Sequence, residues 1–225
     1  MTSRFVLRLT TLLVVLCVAV PATAMVARVT VYFAATFNGA SAPGSGISAE
    51  IGSVDEFGPP GVFTVVGGQL RVSDAGLATD AALRANLDRL FTGGKVTIEF
   101  DLFCSQTDSG LTLRAEDDAD SGLIDVGFDG FGGITIDGED SGESYQSSVP
   151  YRGELRLKDS LFGNSTYHLL LKPASGSTIS ILGTMKSNAP LRMEDLQIIR
   201  AAGSPPGEFF FDNLKVTSNS FSTKY

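Results

Sequence analysis

The segment Lys95–Phe103, KVTIEFDLF, alternates apolar and polar residues along its whole length. Successive side chains of a β-strand point to opposite faces, so this pattern indicates a strand with one buried and one solvated face. The residues on its predicted buried face are Val96, Ile98, Phe100 and Leu102. Gly110–Glu116 repeats the pattern, which makes a half-buried strand the basic unit of this fold.

Short apolar runs separated by Gly, Asp, Asn and Ser continue through the rest of the chain. This spacing is typical of an all-β protein, and about twelve strands are too many for one open sheet. We therefore predict an antiparallel sandwich of two sheets. Glu208–Thr217 (EFFFDNLKVT) is its predicted closing strand. Only Ala78–Leu90 (ATDAALRANLDRL) has helical spacing, which predicts one short helical insertion around residues 78–90.

Met1–Ala24 has the three parts of a cleavable export signal: a basic start, the apolar run Leu9–Val20, and the small residues Ala22 and Ala24. The apolar run is too short to cross a bilayer core of about 30 Å as a helix. We expect a secreted, periplasmic or cell-surface protein in which residues 25–225 form a single β-sandwich domain.

The chain has 17 basic and 25 acidic residues, a net charge of −8 at pH 7. Removal of the predicted signal, which contains two arginines and no acid, leaves an even more acidic chain. Such a surface repels phosphate backbones and anionic lipids, so we expect no nucleic-acid partner and no membrane association after signal cleavage. Cys17 leaves with the signal, and the remaining Cys104 is predicted to be a buried free thiol.

Five motifs are distributed over nearly the whole predicted domain: Thr36–Gly39 (TFNG), Val65–Val72 (VVGGQLRV), Gly94–Asp101 (GKVTIEFD), Thr166–Leu171 (TYHLLL) and Phe211–Val216 (FDNLKV). Together they resemble the concanavalin A-like lectin/glucanase sandwiches of exported bacterial proteins. The resemblance implies a jelly-roll domain in which the first and last strands lie close together. It also implies a carbohydrate or glycoconjugate ligand.

Families with that fold include sugar-binding modules, glycoside hydrolases, polysaccharide lyases and laminin-G-type adhesion domains. We expect a non-catalytic protein that binds carbohydrate or serves as a surface or matrix component; the alternative is a carbohydrate-active hydrolase or lyase. Sugar binding uses aromatic faces together with polar groups, and the chain has no Trp. The candidate ligand-binding residues are Arg114, Glu116, Asp125, Tyr145, Tyr151 and Arg152.

Three observations favour the non-catalytic function. Glu99–Asp101 begins the Glu-x-Asp-x-x-Glu motif of retaining β-glucanases, but Cys104 stands where the last acid belongs. Ser109–Arg114 (SGLTLR) resembles a strand of exported domains associated with keto-disaccharide hydrolysis, but the following strand lacks their continuation. His168 is the only histidine, and no nucleophile-elbow serine exists to pair with it. If the protein is an enzyme, its candidate acids are Glu99, Asp101, Glu116 and Asp125.

No cofactor is expected to be required, and Ca²⁺ is the candidate ion because acidic residues concentrate in two loops. Ca²⁺ takes six to eight oxygen ligands from such flexible segments. The alternatives are that the loop acids are solvated and that Asp212 belongs to an Asp-Asn bulge. The candidate calcium ligands are Asp117, Asp118, Asp120 and Asp212.

Overall fold

The computed structural model describes residues 25–37, 47–73, 79–106, 110–117, 119, 121–160, 164–185, 191–203 and 207–223. The predicted export signal lies outside these ranges. Within them the chain forms fifteen strands: β1 (Met25–Ala35), β2 (Ser53–Phe57), β3 (Phe63–Val66), β4 (Gln69–Ser73), β5 (Ala81–Thr92), β6 (Lys95–Cys104), β7 (Leu111–Glu116), β8 (Gly122–Phe128), β9 (Gly133–Ile136), β10 (Glu139–Ser144), β11 (Pro150–Lys158), β12 (Thr166–Pro173), β13 (Ile179–Thr184), β14 (Arg192–Arg200) and β15 (Glu208–Thr223). The described residues include no helix that could span a membrane.

The strands form two antiparallel sheets, which confirms the predicted fold class. One sheet has eight strands in the order β13-β12-β11-β6-β15-β4-β3, with β1 also paired to β15. The other has seven strands in the order β10-β9-β8-β7-β14-β5-β2. We call them the eight-stranded and the seven-stranded sheet.

A continuous hydrophobic core lies between the sheets. The predicted alternation in β6 is confirmed, because its even-numbered residues are buried and its odd-numbered residues face outward. Aromatic rings meet across the core: Phe128 of the seven-stranded sheet lies 6.5 Å, centroid to centroid, from Phe209 of the eight-stranded sheet. Tyr32 packs edge-on against Phe91 at 5.6 Å in the same way.

The predicted closing strand is confirmed and is longer than expected. β15 pairs with β6 along one edge, and its other edge is shared by β4 and β1. The first and last strands are therefore neighbours, as the jelly-roll resemblance implied. A register shift between Asp212 and Lys215, with Asn213 at φ 51°, marks a β-bulge in β15.

The predicted helical insertion around residues 78–90 is wrong, because Ala81–Thr92 is strand β5. Ala81, Leu83 and Ala85 are buried on one face of β5. Arg84 and Asn86 lie on the opposite, outward face. β2 pairs with one edge of β5 and β14 with the other. Two hydrogen-bonded neighbours and a buried face outweigh a helix preference that differs by less than about 1 kcal/mol per residue among these residue types.

Among the described residues, the core includes a buried cation that the sequence pattern did not indicate. Arg200 is fully buried, donates a hydrogen bond from Nη1 to the Gly110 carbonyl, and lies over the Phe209 ring at 5.9 Å. Cys104, 1% exposed, is a buried thiol outside any disulfide, as predicted, and it donates a hydrogen bond to the Gln106 carbonyl.

Candidate functional site

The outer face of the seven-stranded sheet presents two neighbouring rows of side chains that cross its strands. The cross-strand register aligns one row of charged and amide groups, which we call the polar row: Asp55, Arg84, Gln197, Arg114 and Asp125. Beside it runs a row of mostly small residues, which we call the shallow row: Phe57, Ala82, Ile199, Thr112, Gly127 and Thr135. Three predicted ligand-binding residues, Arg114, Glu116 and Asp125, lie on this face.

Arg114 and Asp125 form the best-defined pair of the polar row. Nε and Nη2 of Arg114 donate to the two carboxylate oxygens of Asp125, both at 2.7 Å. This fork arrangement fixes both side chains more firmly than a single contact does. The hydrogen bond with Asp125 is also the main reason why the pKa of Arg114 is raised. Their side chains remain 36% and 29% exposed, so both reach solvent.

Glu116 lies beside the polar row, two residues from Arg114 on the same face of β7, and is 5% exposed. Its Oε2 accepts a hydrogen bond from Nε2 of Gln197. Nη2 of Arg84 lies 3.5 Å from the same oxygen, and Nη1 of Arg114 lies 3.7 Å from Oε1. Arg84 also faces Asp195, with 3.6 Å between Nε and Oδ2. The two guanidinium groups are thus held by the buried carboxylates of Glu116 and Asp195, which are cross-strand partners in the neighbouring row.

Phe57 gives this face an exposed aromatic ring. The side chain is 53% exposed, and the guanidinium carbon of Arg84 lies 5.7 Å from the ring centroid. Phe57 is not among the ligand-binding residues that the sequence predicted. The sequence signal for this edge strand is weak, because Val54 is partly buried while its neighbours in β2 are exposed.

The other end of the shallow row contains a hollow of about 200 Å³. Thr112, Gly127, Thr135 and Ile199 are among the residues that line it. A Cβ atom on Gly127 would overlap the hydroxyl oxygen of Thr135, so glycine is required for the packing between β8 and β9. The hollow lies at one end of the shallow row and the Phe57 ring at the other, and we call the strip between them, beside the polar row, the trough.

The expected exposure of Tyr145 and Tyr151 is wrong. They are 3% and 5% exposed, and each hydroxyl is bound inside the protein. The hydroxyl of Tyr145 donates to the Asp129 carbonyl at 3.0 Å, and that of Tyr151 accepts from the Gln146 amide at 2.9 Å. Burial is the main cause that raises the pKa of Tyr145. Polar neighbours in the sequence do not reveal which residues point inward, and neither ring can stack on a ligand from solvent.

The four candidate acids do not form one site. Glu99 and Asp101 lie on the outer face of the eight-stranded sheet, whereas Glu116 and Asp125 lie on that of the seven-stranded sheet. The core separates the two pairs. Arg152 also lies on the eight-stranded sheet, directly across from Asp101. The structure therefore joins three predicted ligand-binding residues and separates Arg152 from them.

The described acids predicted to bind Ca²⁺ are engaged in local structure. Oδ1 of Asp117 accepts from the amides of Ala119 and Ser121, both at 2.9 Å. Asp212 accepts from the Asn213 amide at 2.7 Å within the bulge, and its pKa is raised chiefly by burial. In the described part of the chain, no three His, Cys, Asp or Glu side chains group closely enough to hold a metal ion. Asp118 and Asp120 lie outside the described residues, and calcium binding stays a prediction.

No known family profile matches the chain, and no curated protein matches it by sequence. Solved structures do match its fold. An alginate lyase from Aplysia kurodai superposes with a TM-score of 0.56 at 8% identity, covering 72% of this chain and 89% of the lyase. Peanut lectin matches with a TM-score of 0.56 at 11% identity, covering 89% of this chain and all of the lectin (100%).

A sialidase also matches, with a TM-score of 0.56 and 15% identity over 72% of this chain, but the chain spans only 16% of the sialidase. At such identities the comparisons establish the fold alone. These proteins share the concanavalin A-like jelly-roll sandwich, which confirms the resemblance predicted from the strand motifs.

Proposed function

Because the chain has the concanavalin A-like jelly-roll fold, we propose that it is an exported carbohydrate-binding protein whose binding face is the outer surface of the seven-stranded sheet. The observation that carries this proposal is the pairing of the polar row with the shallow row. Sugar rings present hydroxyl groups at their rim and apolar C–H faces above and below. A trough that places fixed polar groups beside a flat, partly aromatic floor matches both features.

The polar row is prepared for hydroxyl groups before any ligand binds. Arg114 and Arg84 are held by carboxylates that are themselves buried or bound in a fork, so little conformational freedom remains to be lost. Asp125 and Arg114 keep part of their surface in solvent. They can therefore accept from and donate to neighbouring hydroxyls without breaking their mutual contact.

The charge of this face favours neutral sugars. Asp55, Glu116, Asp125 and Asp195 outnumber the two guanidinium groups of Arg84 and Arg114. A polyuronate such as alginate would meet an excess of negative charge there, which disfavours binding. The shallow row crosses six strands, about 24 Å at the usual strand spacing, which suits an oligosaccharide better than a single sugar.

The alternative function, a carbohydrate-active enzyme of the same fold, is supported less well. For a hydrolase, the two-carboxylate mechanism needs one carboxylic acid that donates a proton. On this face Asp125 accepts two hydrogen bonds from Arg114, and Glu116 accepts one from Gln197. Both carboxylates are arranged as acceptors, so neither is placed as a general acid.

A glycan array probed with the protein, with and without Ca²⁺, tests the ligand class and the calcium prediction together. Binding of neutral oligosaccharides supports the proposal, and silence under both conditions refutes it. Isothermal titration with the best ligand then locates the site. Phe57→Ala should weaken binding about tenfold, because that is the change in affinity expected when one aromatic contact is lost. Phe131→Ala is the matched control, because Phe131 is 97% exposed in the turn between β8 and β9.

Full affinity in Phe57→Ala would show that the ligand binds elsewhere. A further variant, Gly127→Ala, pushes Thr135 into the trough and should weaken binding as well. Incubation of the bound glycan with the protein, followed by measurement of new reducing ends and unsaturated ends, distinguishes binding from cleavage. Turnover that disappears in Asp125→Asn would favour the enzyme over the binding protein.

A further inference from the structure

The outer face of the eight-stranded sheet contains a second concave region, on the opposite side of the sandwich from the polar row. We call it the cleft. It has a volume of about 490 Å³, which is within the usual size range of small-molecule sites. Its principal lining residues are Phe103, Phe210, Pro150, Pro173, Arg152 and Lys172.

The floor and one wall of the cleft are apolar and rigid. Phe103 and Phe210 are cross-strand partners in β6 and β15, with ring centroids 5.8 Å apart and planes inclined by 57°. Both rings are half-buried, so each keeps a face open to the cleft. Pro150 lies directly across from Phe103, and its carbonyl accepts from the Ala174 amide at 3.1 Å. The two prolines and the two phenylalanine rings have few freely rotating bonds, so this part of the cleft has little conformational freedom.

The rim of the cleft is cationic, although the chain as a whole is acidic. Arg152 and Lys172 lie directly across from each other in β11 and β12. Like charges in that position repel. The Arg152 side chain is 75% exposed, and its ion pair with Glu99 is long, at 3.8 Å. Lys172 is exposed and forms no ion pair with any described residue.

Asp101, the acid among the lining residues, is engaged elsewhere. Its Oδ2 accepts a hydrogen bond from Nδ2 of Asn213 at 2.7 Å. Among the residues that line the cleft, Arg152 and Lys172 exceed Asp101 by one positive charge, and Glu99, the partner of Arg152, lies outside that lining. An anion placed between these two side chains would relieve their mutual repulsion.

We propose that the cleft binds a small aromatic carboxylate, with its ring on Phe103 and Phe210 and its carboxylate between Arg152 and Lys172. The apolar floor favours a planar aromatic body over a sugar, because a sugar needs polar partners around its whole rim. Arginine offers the planar, bidentate geometry that a carboxylate accepts, and lysine adds a point charge. This inference is independent of the glycan site.

Titration calorimetry with trans-cinnamate as the probe tests the proposal. Cinnamyl alcohol has the same ring without the charge, and galacturonate has the charge on a sugar ring. Cinnamate should bind at least about tenfold more tightly than either, since one contact of each kind is lost. Equal binding of galacturonate, or no binding of cinnamate, would overturn the proposal.

Paired variants locate the ligand. Arg152→Gln combined with Lys172→Gln should weaken cinnamate binding about tenfold, as expected for two partly exposed charges. Lys158→Gln is the matched control, because Lys158 is an exposed cation on the same face of β11 but outside the cleft. Phe210→Leu keeps an apolar side chain in the cleft while removing the ring, and it should also weaken binding. Unchanged binding in the charge variant would place cinnamate elsewhere.

Discussion

Replacement of Glu116 by alanine should destabilise the protein by about 2–4 kcal/mol. Its loss leaves the Gln197 amide, 7% exposed, without its carboxylate acceptor. A buried donor that loses its acceptor costs about 1–3 kcal/mol. Arg84 and Arg114 are 30% and 36% exposed and keep other carboxylate partners, so each adds only about 0.5 kcal/mol. The sum is smaller than the value for a fully buried ion pair because solvent reaches both guanidinium groups.

Urea unfolding followed by far-ultraviolet circular dichroism measures this difference. With a slope of about 2 kcal/mol per molar urea, the midpoint for Glu116→Ala should fall by about 1–2 M. Glu116→Gln keeps the volume and one carbonyl acceptor and should cost about half as much. Glu143→Ala is the control, since Glu143 is exposed at the sheet edge and its loss should stay within about 0.5 kcal/mol.

A loss of less than about 0.5 kcal/mol in Glu116→Ala would refute the reasoning. It would mean that water already solvates this carboxylate and that Glu116 does not fix Gln197, Arg84 and Arg114 in place. The double variant Glu116→Met, Gln197→Met provides a second check. Because both partners of the buried hydrogen bond are then apolar, it should be less destabilised than the sum of the two single variants, by about 1 kcal/mol.

Three other variants or treatments have defined outcomes. Gly153→Ala should cost about 1–3 kcal/mol in urea unfolding, because a Cβ there would overlap the ring of Phe100 directly across in β6; wild-type stability would contradict this packing. The hydrogen bond from Arg156 lowers the pKa of Glu154, so the pair stabilises the fold above the ordinary glutamate pKa and the effect is lost as the pH falls through the lowered value. Arg156→Gln should accordingly lower stability by at most about 1 kcal/mol at neutral pH, and a difference that persists once Glu154 is fully protonated in strong acid would argue against the pair. Because Cys104 is buried, iodoacetamide should alkylate it only after unfolding in urea. Peptide mass mapping that finds this thiol modified in the native protein would contradict its burial.

The strand pattern predicted most of the core because alternation and burial have the same period. In β6 every second residue is buried, and the sequence alone identified these positions. β5 was mistaken because its alanines and leucines satisfy both the helical and the strand period, and only pairing with β2 and β14 decides between them. Intrinsic propensity is a weak guide where two neighbouring strands supply the hydrogen bonds.

Only part of the candidate site could be predicted from the sequence. Arg114 and Glu116 are two residues apart in one strand and therefore share a face, which the alternation predicted. Asp125 joins them through the register of β7 with β8, which no local pattern indicates. Tyr151 was wrongly predicted to contact a ligand. Its sequence neighbours are polar, but its own side chain points into the core. Phe57 was missed because an exposed strand at a sheet edge has no alternation of its own to detect.

The position of the last two strands determines how late the sandwich can close during folding. β14 separates β7 from β5 in one sheet, and β15 separates β6 from β4 in the other. Until residues 192–223 have been synthesised, the seven-stranded sheet can exist only as two unconnected parts, and β6, β4 and β1 of the eight-stranded sheet lack the strand that joins them. Contacts between residues so distant in sequence form slowly, and unpaired edges invite association with other chains. A nascent chain that stops short of β14 should therefore be the species most dependent on chaperones.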